Sequence, residues 1–167
     1  MAQWLSGWVE RWSRVPADRP PLRCPVLIWR SPPPMNEDLP PPTFAGEEIR
    51  RRATEPLVFE VRNGPLNVGQ PLITVGRNPY SDLLMEDSSV SRFHAYFVRD
   101  GRSGQWKLVD MASKYGTFIG KHRLTPHQAD PLNDGDLIGF GSVRVNFLLP
   151  RSFSAELDRL AGPSQDL

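Results

Sequence analysis

The sequence predicts an all-β fold, a sandwich of two antiparallel sheets, and three observations carry that expectation. From Pro56 onward, short stretches rich in Val, Ile, Leu and Phe alternate with turn signals at Asn63-Gly64, Asp100-Gly101 and Asp134-Gly135. The stretches recur roughly every 8 to 12 residues, with one longer gap before Leu137, which is the spacing of a two-sheet sandwich. In the last of them Val143, Val145 and Phe147 alternate with Arg144 and Asn146, so one face belongs to a core and the other does not.

Taken in chain order, residues 1–15 come first. At 100° per residue a helical wheel places Trp4, Leu5, Trp8, Val9, Trp12 and Val15 on one side. Ser6, Gly7, Glu10, Arg11, Ser13 and Arg14 fall on the other. So short a helix is marginal alone, and three occupants of its apolar face are open: its own domain, a partner protein, or a membrane surface. Residues 16–55 read as a Pro-rich linker, because ten of the eighteen prolines fall between Pro16 and Pro42 and that density blocks helix and central strand. An apolar island, Val26-Leu27-Ile28-Trp29, interrupts it and either adds a strand to something or docks as a peptide. The sandwich occupies 56–150, with strands at 57–61, 72–75, 83–85, 93–98, 106–109, 117–119, 137–140 and 143–149. Residues 151–167 hold a short helix over 154–161 and a loose tail.

The totals exclude several classes. A chain of 167 residues has room for one ordinary domain with appendages. A net charge of +1 gives no broad field toward nucleic acid or anionic membrane, so electrostatic recognition has to come from a local cluster. The lone Cys24 has no disulfide partner, and the three histidines show no metal-ligand spacing, which fits a reducing cytoplasm and no metal or other cofactor. There is no run of about 18 apolar residues and no secretory leader pattern.

One local constellation raises a chemical question. Ser91 stands three residues before His94 with Arg92 between them, which is either a nucleophile beside its base or a cradle for an anion. A hydrolase would need a strained elbow, an orienting third group and oxyanion donors, and no Gly-x-Ser-x-Gly is present. Residues three apart on a strand also point to opposite faces. Two other turns offer cations instead. Gly76-Arg77-Asn78-Pro79 follows an apolar strand, which puts Arg77 at a rim. Ser113-Lys114-Tyr115-Gly116-Thr117 supplies a hydroxyl, an ammonium and a glycine able to take positive φ.

Gly76-Arg77, Ser91-x-x-His94 and Ser113-x-x-Gly116-Thr117, in this order and on an all-β background closed by Asp134-Gly135-Asp136-Leu137-Ile138-x-Phe140-Gly141, resemble the forkhead-associated (FHA) domain over about residues 56 to 150. The resemblance implies a sandwich of about eleven strands that binds phosphothreonine peptides through loops at one end and has no catalytic residues. It implies that Arg77 and the Ser91 hydroxyl meet the phosphate, that Arg92 and Lys114 add charge, and that Tyr115 lies along the peptide. It also implies that Gly76, His94, Gly116 and Thr117 support those loops. Two positions depart from the family pattern: Tyr115 replaces the usual asparagine before Gly-Thr, and Gly120-Lys121 replaces a common Asn-Gly. An amide that grips peptide backbone is therefore missing.

The function this reading favours is a phosphothreonine-dependent adaptor in Ser/Thr kinase signalling. It would bring a Thr-phosphorylated protein to whatever the N-terminal helix holds. A phosphate-independent interaction module with a degenerate peptide site is the alternative, and a Ser91/His94 hydrolase the third class. Arg51-Arg52-Ala53-Thr54 resembles a basophilic kinase site, which makes Thr54 a candidate regulatory phosphosite.

Overall fold

The computed structural model of the chain describes residues 2–13, 22–30 and 55–162. Thr54 and its arginine pair, and the ends of the expected N-terminal helix at Arg14 and Val15, lie outside the described residues. Twelve strands are described: β1 (Ala2–Trp4), β2 (Val26–Trp29), β3 (Leu57–Glu60), β4 (Leu72–Gly76), β5 (Leu83–Leu84), β6 (Ala95–Arg99), β7 (Trp106–Asp110), β8 (Thr117–Ile119), β9 (His122–Arg123), β10 (Ala129–Pro131), β11 (Leu137–Phe140) and β12 (Val143–Leu148). Two helices accompany them, α1 (Leu5–Trp12) and α2 (Pro150–Ala161). The strands form a seven-stranded sheet in the order β1-β3-β2-β12-β11-β8-β9 and a five-stranded sheet in the order β10-β7-β6-β4-β5. All pairs are antiparallel except β4 with β5.

Each strand's pattern follows from which of its faces is covered. In β12, Val143, Val145 and Phe147 are buried between the sheets while Arg144 is exposed. Phe97 on β6 meets Phe140 edge-on at 6.4 Å and stacks on Phe147 at 6.2 Å, which ties the two sheets together. Strand β2 shows no alternation because both its faces are covered. Leu27 and Trp29 enter the core between the sheets, and Val26 and Ile28 enter a second core beneath the helices.

That second core corrects two expectations. The island 26–29 is a central strand paired with β12 on one side and β3 on the other, so the linker assigned to 16–55 does not extend through it and the domain begins before Pro56. The apolar face of α1 is filled by its own domain: Leu5, Trp8 and Trp12 are buried with Val26, Ile28, Val58, Phe153 and Leu157. Among the described residues of that face, Leu5, Trp8 and Trp12 are turned into their own domain rather than toward a partner protein or a membrane, and α2 folds back over the same sheet. Trp8 meets Phe153 edge-on at 5.3 Å, and Trp12 Nε1–H donates to Asp158 Oδ1 at 2.8 Å. Helix α2 starts at Pro150, whose missing N–H costs nothing in the first turn.

Other differences are local. Trp4, placed on the helix by periodicity, ends strand β1, where Gln3 pairs with Val58 on the otherwise open edge of β3. Strands β9 and β10 lie in the long gap before Leu137. They are two and three residues long and largely exposed, and backbone pairing to β8 and β7 defines them without any apolar signature. Among the described residues no helix is long and apolar enough to cross a membrane.

Ile28 is fully buried, so Ile28→Ala should cost about 2 to 5 kcal/mol in urea unfolding. A residue in a solvated linker would cost within about 0.5 kcal/mol.

Candidate functional site

The loops that follow β4, precede β6, join β7 to β8 and join β11 to β12 meet at one end of the sandwich, where backbone hydrogen bonds fix them to one another. Arg77 N–H donates to the Ser91 carbonyl at 3.0 Å, Asn78 N–H to the Arg92 carbonyl at 3.2 Å, and Gly141 N–H to the Gly116 carbonyl at 3.0 Å. Gly76 is required by close approach, since a Cβ there would lie 2.1 Å from the Arg92 carbonyl oxygen. The sequence motif Gly76-Arg77 is thus the seam along which two loops are joined.

His94 is fully buried and edge-on to Phe140, with ring centroids 5.6 Å apart. Its Nδ1 accepts the Ser91 N–H at 2.9 Å, so Nε2 carries the proton and donates to the Gly116 carbonyl at 3.2 Å. Burial holds its pKa below the ordinary imidazole value, and the Gly116 bond and the Asp110 charge oppose that only in part. The Ser91 hydroxyl oxygen accepts the Lys114 N–H at 3.0 Å. Both ring nitrogens of His94 are therefore committed to backbone groups, and the Ser91 hydroxyl is committed to a different loop. The geometry makes His94 a strut between loops and gives Ser91 no base.

The β7–β8 loop has an organiser that sequence reasoning missed. Asp110, 2 % exposed at the end of β7, accepts the Ser113 N–H at 3.1 Å, the Ser113 hydroxyl at 2.6 Å and the Thr117 hydroxyl at 2.5 Å. The available signal was its spacing: an aspartate three residues before a serine at a strand end is a local side-chain-to-backbone turn. Thr117, expected as support, is part of this network. Gly116 takes φ +86°, which the bend before β8 requires. Ser89, also unnoticed, donates its hydroxyl to Asp87 at 2.6 Å and accepts the Ser142 N–H at 2.9 Å, which ties in the β11–β12 turn.

Around this rigid floor the expected site residues stand at the surface. Arg77 is exposed, with its Nε donating to the Val90 carbonyl at 3.2 Å, which leaves its two terminal nitrogens without a partner among the described residues. Arg92, Lys114 and Tyr115 are exposed, and the Lys114 ammonium lies 5.1 Å from the Tyr115 ring centroid. No carboxylate among the described residues pairs with Arg77, Arg92 or Lys114, and no three potential metal ligands come together there. The turn at Gly120-Lys121 is exposed at the β8–β9 hairpin, with Gly120 at φ +58°. The site is a set of hydroxyl, guanidinium and ammonium donors on a hydrogen-bonded base.

A family model described as the FHA domain matches residues 73–141. The oxoglutarate dehydrogenase inhibitor of Corynebacterium diphtheriae is 32% identical over 117 residues, a match covering 66% of this chain and 70% of that protein. The glycogen accumulation regulator GarA of Mycolicibacterium smegmatis is 34% identical over 122 residues, covering 66% of this chain and 73% of that one. A solved structure described as a structural and functional analysis of phosphothreonine-dependent FHA domain interactions aligns with a TM-score of 0.44 at 25% identity, over 55% of this chain and 83% of its own. With this architecture and these relatives, the chain belongs to the FHA domain family.

The neutral state of His94 sets a pH dependence. Its folded pKa lies below the unfolded value of about 6.5, so the unfolded chain binds the extra proton first as pH falls. Stability is held above about pH 6.5 and lost from there down to the depressed folded value, at no more than about 1.4 kcal/mol per pH unit. Urea unfolding at about pH 7.5 and about pH 5.5 should show this loss in the native chain and a smaller one in His94→Gln. Equal losses would mean that folding does not hold the imidazole below its unfolded pKa.

Proposed function

We propose that this chain is a phosphothreonine-peptide-binding adaptor module in Ser/Thr kinase signalling, with the phosphate held by loop residues at one end of the sandwich. The observation that supports this most is at Ser91. Its oxygen is taken as an acceptor by the Lys114 N–H, which leaves the hydroxyl proton to donate outward, between loops that carry Arg77, Arg92 and Lys114. A phosphothreonine brings about −1.5 to −2 charges and three acceptor oxygens, the complement of that donor set.

In this reading the Arg77 guanidinium forks onto two phosphate oxygens while the Ser91 hydroxyl donates to the phosphate. Arg92 and Lys114 add charge from the two flanking loops. Three charge-assisted bonds of about 1.5 to 3 kcal/mol each are comparable with the roughly 8 kcal/mol of a micromolar complex. Peptide residues beside the phosphothreonine have to offset the cost of ordering. Two relatives are named as an inhibitor and a regulator, which agrees with action by binding and with no catalytic role for Ser91. The reading places the chain in the cytoplasm, where protein kinases meet ATP.

Tyr115 favours a second reading, a phosphate-independent interaction module. It occupies the position where the family usually carries asparagine, is 51% exposed, and offers a ring and a hydroxyl in place of an amide.

Titrating one peptide in its phosphorylated and plain forms separates the two. The adaptor reading expects strong preference for the phosphorylated form and a loss of about 10- to 150-fold in Arg77→Ala, the equivalent of one charge-assisted bond. Equal binding of both forms would select the phosphate-independent module.

A further inference from the structure

The chain is nearly neutral overall, but the end that carries the candidate site is not. Beyond Arg77, Arg92 and Lys114, the seven-stranded sheet brings two more guanidiniums there on its outer face, past the part that the helices cover. The register sets Arg123 on β9 opposite Phe118 on β8, Phe118 opposite Gly139 on β11, and Gly139 opposite Arg144 on β12. Four strands thus contribute one row. The Arg123 and Arg144 guanidinium carbons lie 5.9 Å and 5.5 Å from the Phe118 ring centroid.

Both arginines lie over glycines. A Cβ on Gly116 would fall 2.6 Å from Arg123 Nε, and one on Gly139 would fall 2.7 Å from Arg144 Nη1. Any other residue at these positions would lift the guanidiniums away. Gly116 belongs to the loop whose Lys114 N–H bonds the Ser91 hydroxyl, so Arg123 is contiguous with that loop. Arg144 Nη1 donates to the Gly141 carbonyl at 2.6 Å, and the Gly141 N–H is itself bonded to the Gly116 carbonyl.

Two like charges drawn toward one ring repel each other unless an anion joins them. No carboxylate among the described residues does so, and Arg123 makes no hydrogen bond among them. The neighbouring Lys121 is exposed as well, and among the described residues the only carboxylate paired with the β8–β9 hairpin is Asp130 of β10, 3.8 Å from His122.

We propose that Arg123 and Arg144 form a second anion subsite that adjoins the phosphate-binding loops and takes a further negative group, a carboxylate or a second phosphate, on the same phosphopeptide. This rests on the phosphothreonine reading and adds a preference to it: the ligand is an acidic phosphopeptide, and the lost peptide-gripping amide at Tyr115 is offset by charge.

The test is a binding titration of the full chain with a phosphothreonine peptide flanked by alanines. It is repeated with one glutamate moved through the four positions on either side, and with phosphoserine at the best of them. At one or more of these positions glutamate should strengthen binding about two- to fivefold at low salt, the range of an exposed ion pair, with a smaller gain at high salt. Phosphoserine should gain more, and a gain for phosphoserine alone would assign the subsite to a second phosphate.

Arg123→Gln, and more fully Arg123→Gln combined with Arg144→Gln, should abolish the gain and leave the alanine-flanked phosphopeptide unaffected. An unchanged thermal midpoint shows that the variants are folded, and Arg123→Lys should keep part of the gain. The proposal is overturned if neither glutamate nor phosphoserine helps, or if the gain survives in the double variant. Failure of the phosphothreonine reading looks different: the alanine-flanked peptide would bind no better phosphorylated than plain.

Discussion

One neutral imidazole, closed inside the sandwich, is the contact on which the candidate site depends. Only the Nε2-protonated form of His94 can accept from the Ser91 N–H and donate to the Gly116 carbonyl at once. Those two groups sit on different loops, and each loop carries a donor that faces solvent. Asp110 does the corresponding work inside the β7–β8 loop, where it spends its carboxylate on Ser113 and Thr117. Two ionisable groups, one neutral and one satisfied by hydroxyls, hold the floor, and cations with no carboxylate partner among the described residues stand above it. This division matters because an anion bound over a rigid base pays little reorganisation, whereas one that must order its own loops binds more weakly.

The N-terminal region belongs to the same body. Strand β2 lies between β3 and β12, and its two faces serve two cores, so the helix layer and the sandwich share a strand. Phe153 and Leu157 from α2 are fully buried against Trp8 and Trp12 from α1, and the Trp12–Asp158 hydrogen bond joins the helices directly. The layer also divides the outer face of the seven-stranded sheet. The β1-β3-β2 part and the Leu148 end of β12 are covered, while the β11-β8-β9 part and the Arg144 end of β12 are open and carry the Arg123–Phe118–Arg144 row.

The strands with apolar alternation were legible because burial on one face leaves a period of two, as in β12. The turn residues were legible where conformation or contact demands a particular type: Gly116 at positive φ and Gly76 under the Arg92 carbonyl. Strand β2 was visible as an apolar run, but its place was not, because a strand buried on both faces has no period and prolines surround it. Strands β9 and β10 left no trace, since they are short, exposed and defined by backbone pairing alone. Arg77, Ser91, Arg92 and Lys114 were named as candidates from the loops that carry them. Asp110 was missed because its partners come from backbone geometry as much as from its own sequence position. Arg123 and Arg144 lie 21 residues apart and become neighbours only through the registers of β9, β8, β11 and β12.

The central claim is that loops braced by His94 gather their donors into one anion cradle. Amide and imidazole NMR spectra of the full chain, followed through addition of a phosphothreonine peptide, test it most directly. The account expects the largest shifts at Arg77, Ser91, Arg92 and Lys114, with His94 neutral and protonated at Nε2 throughout. Shifts centred away from these loops, or a His94 proton on Nδ1, would contradict it.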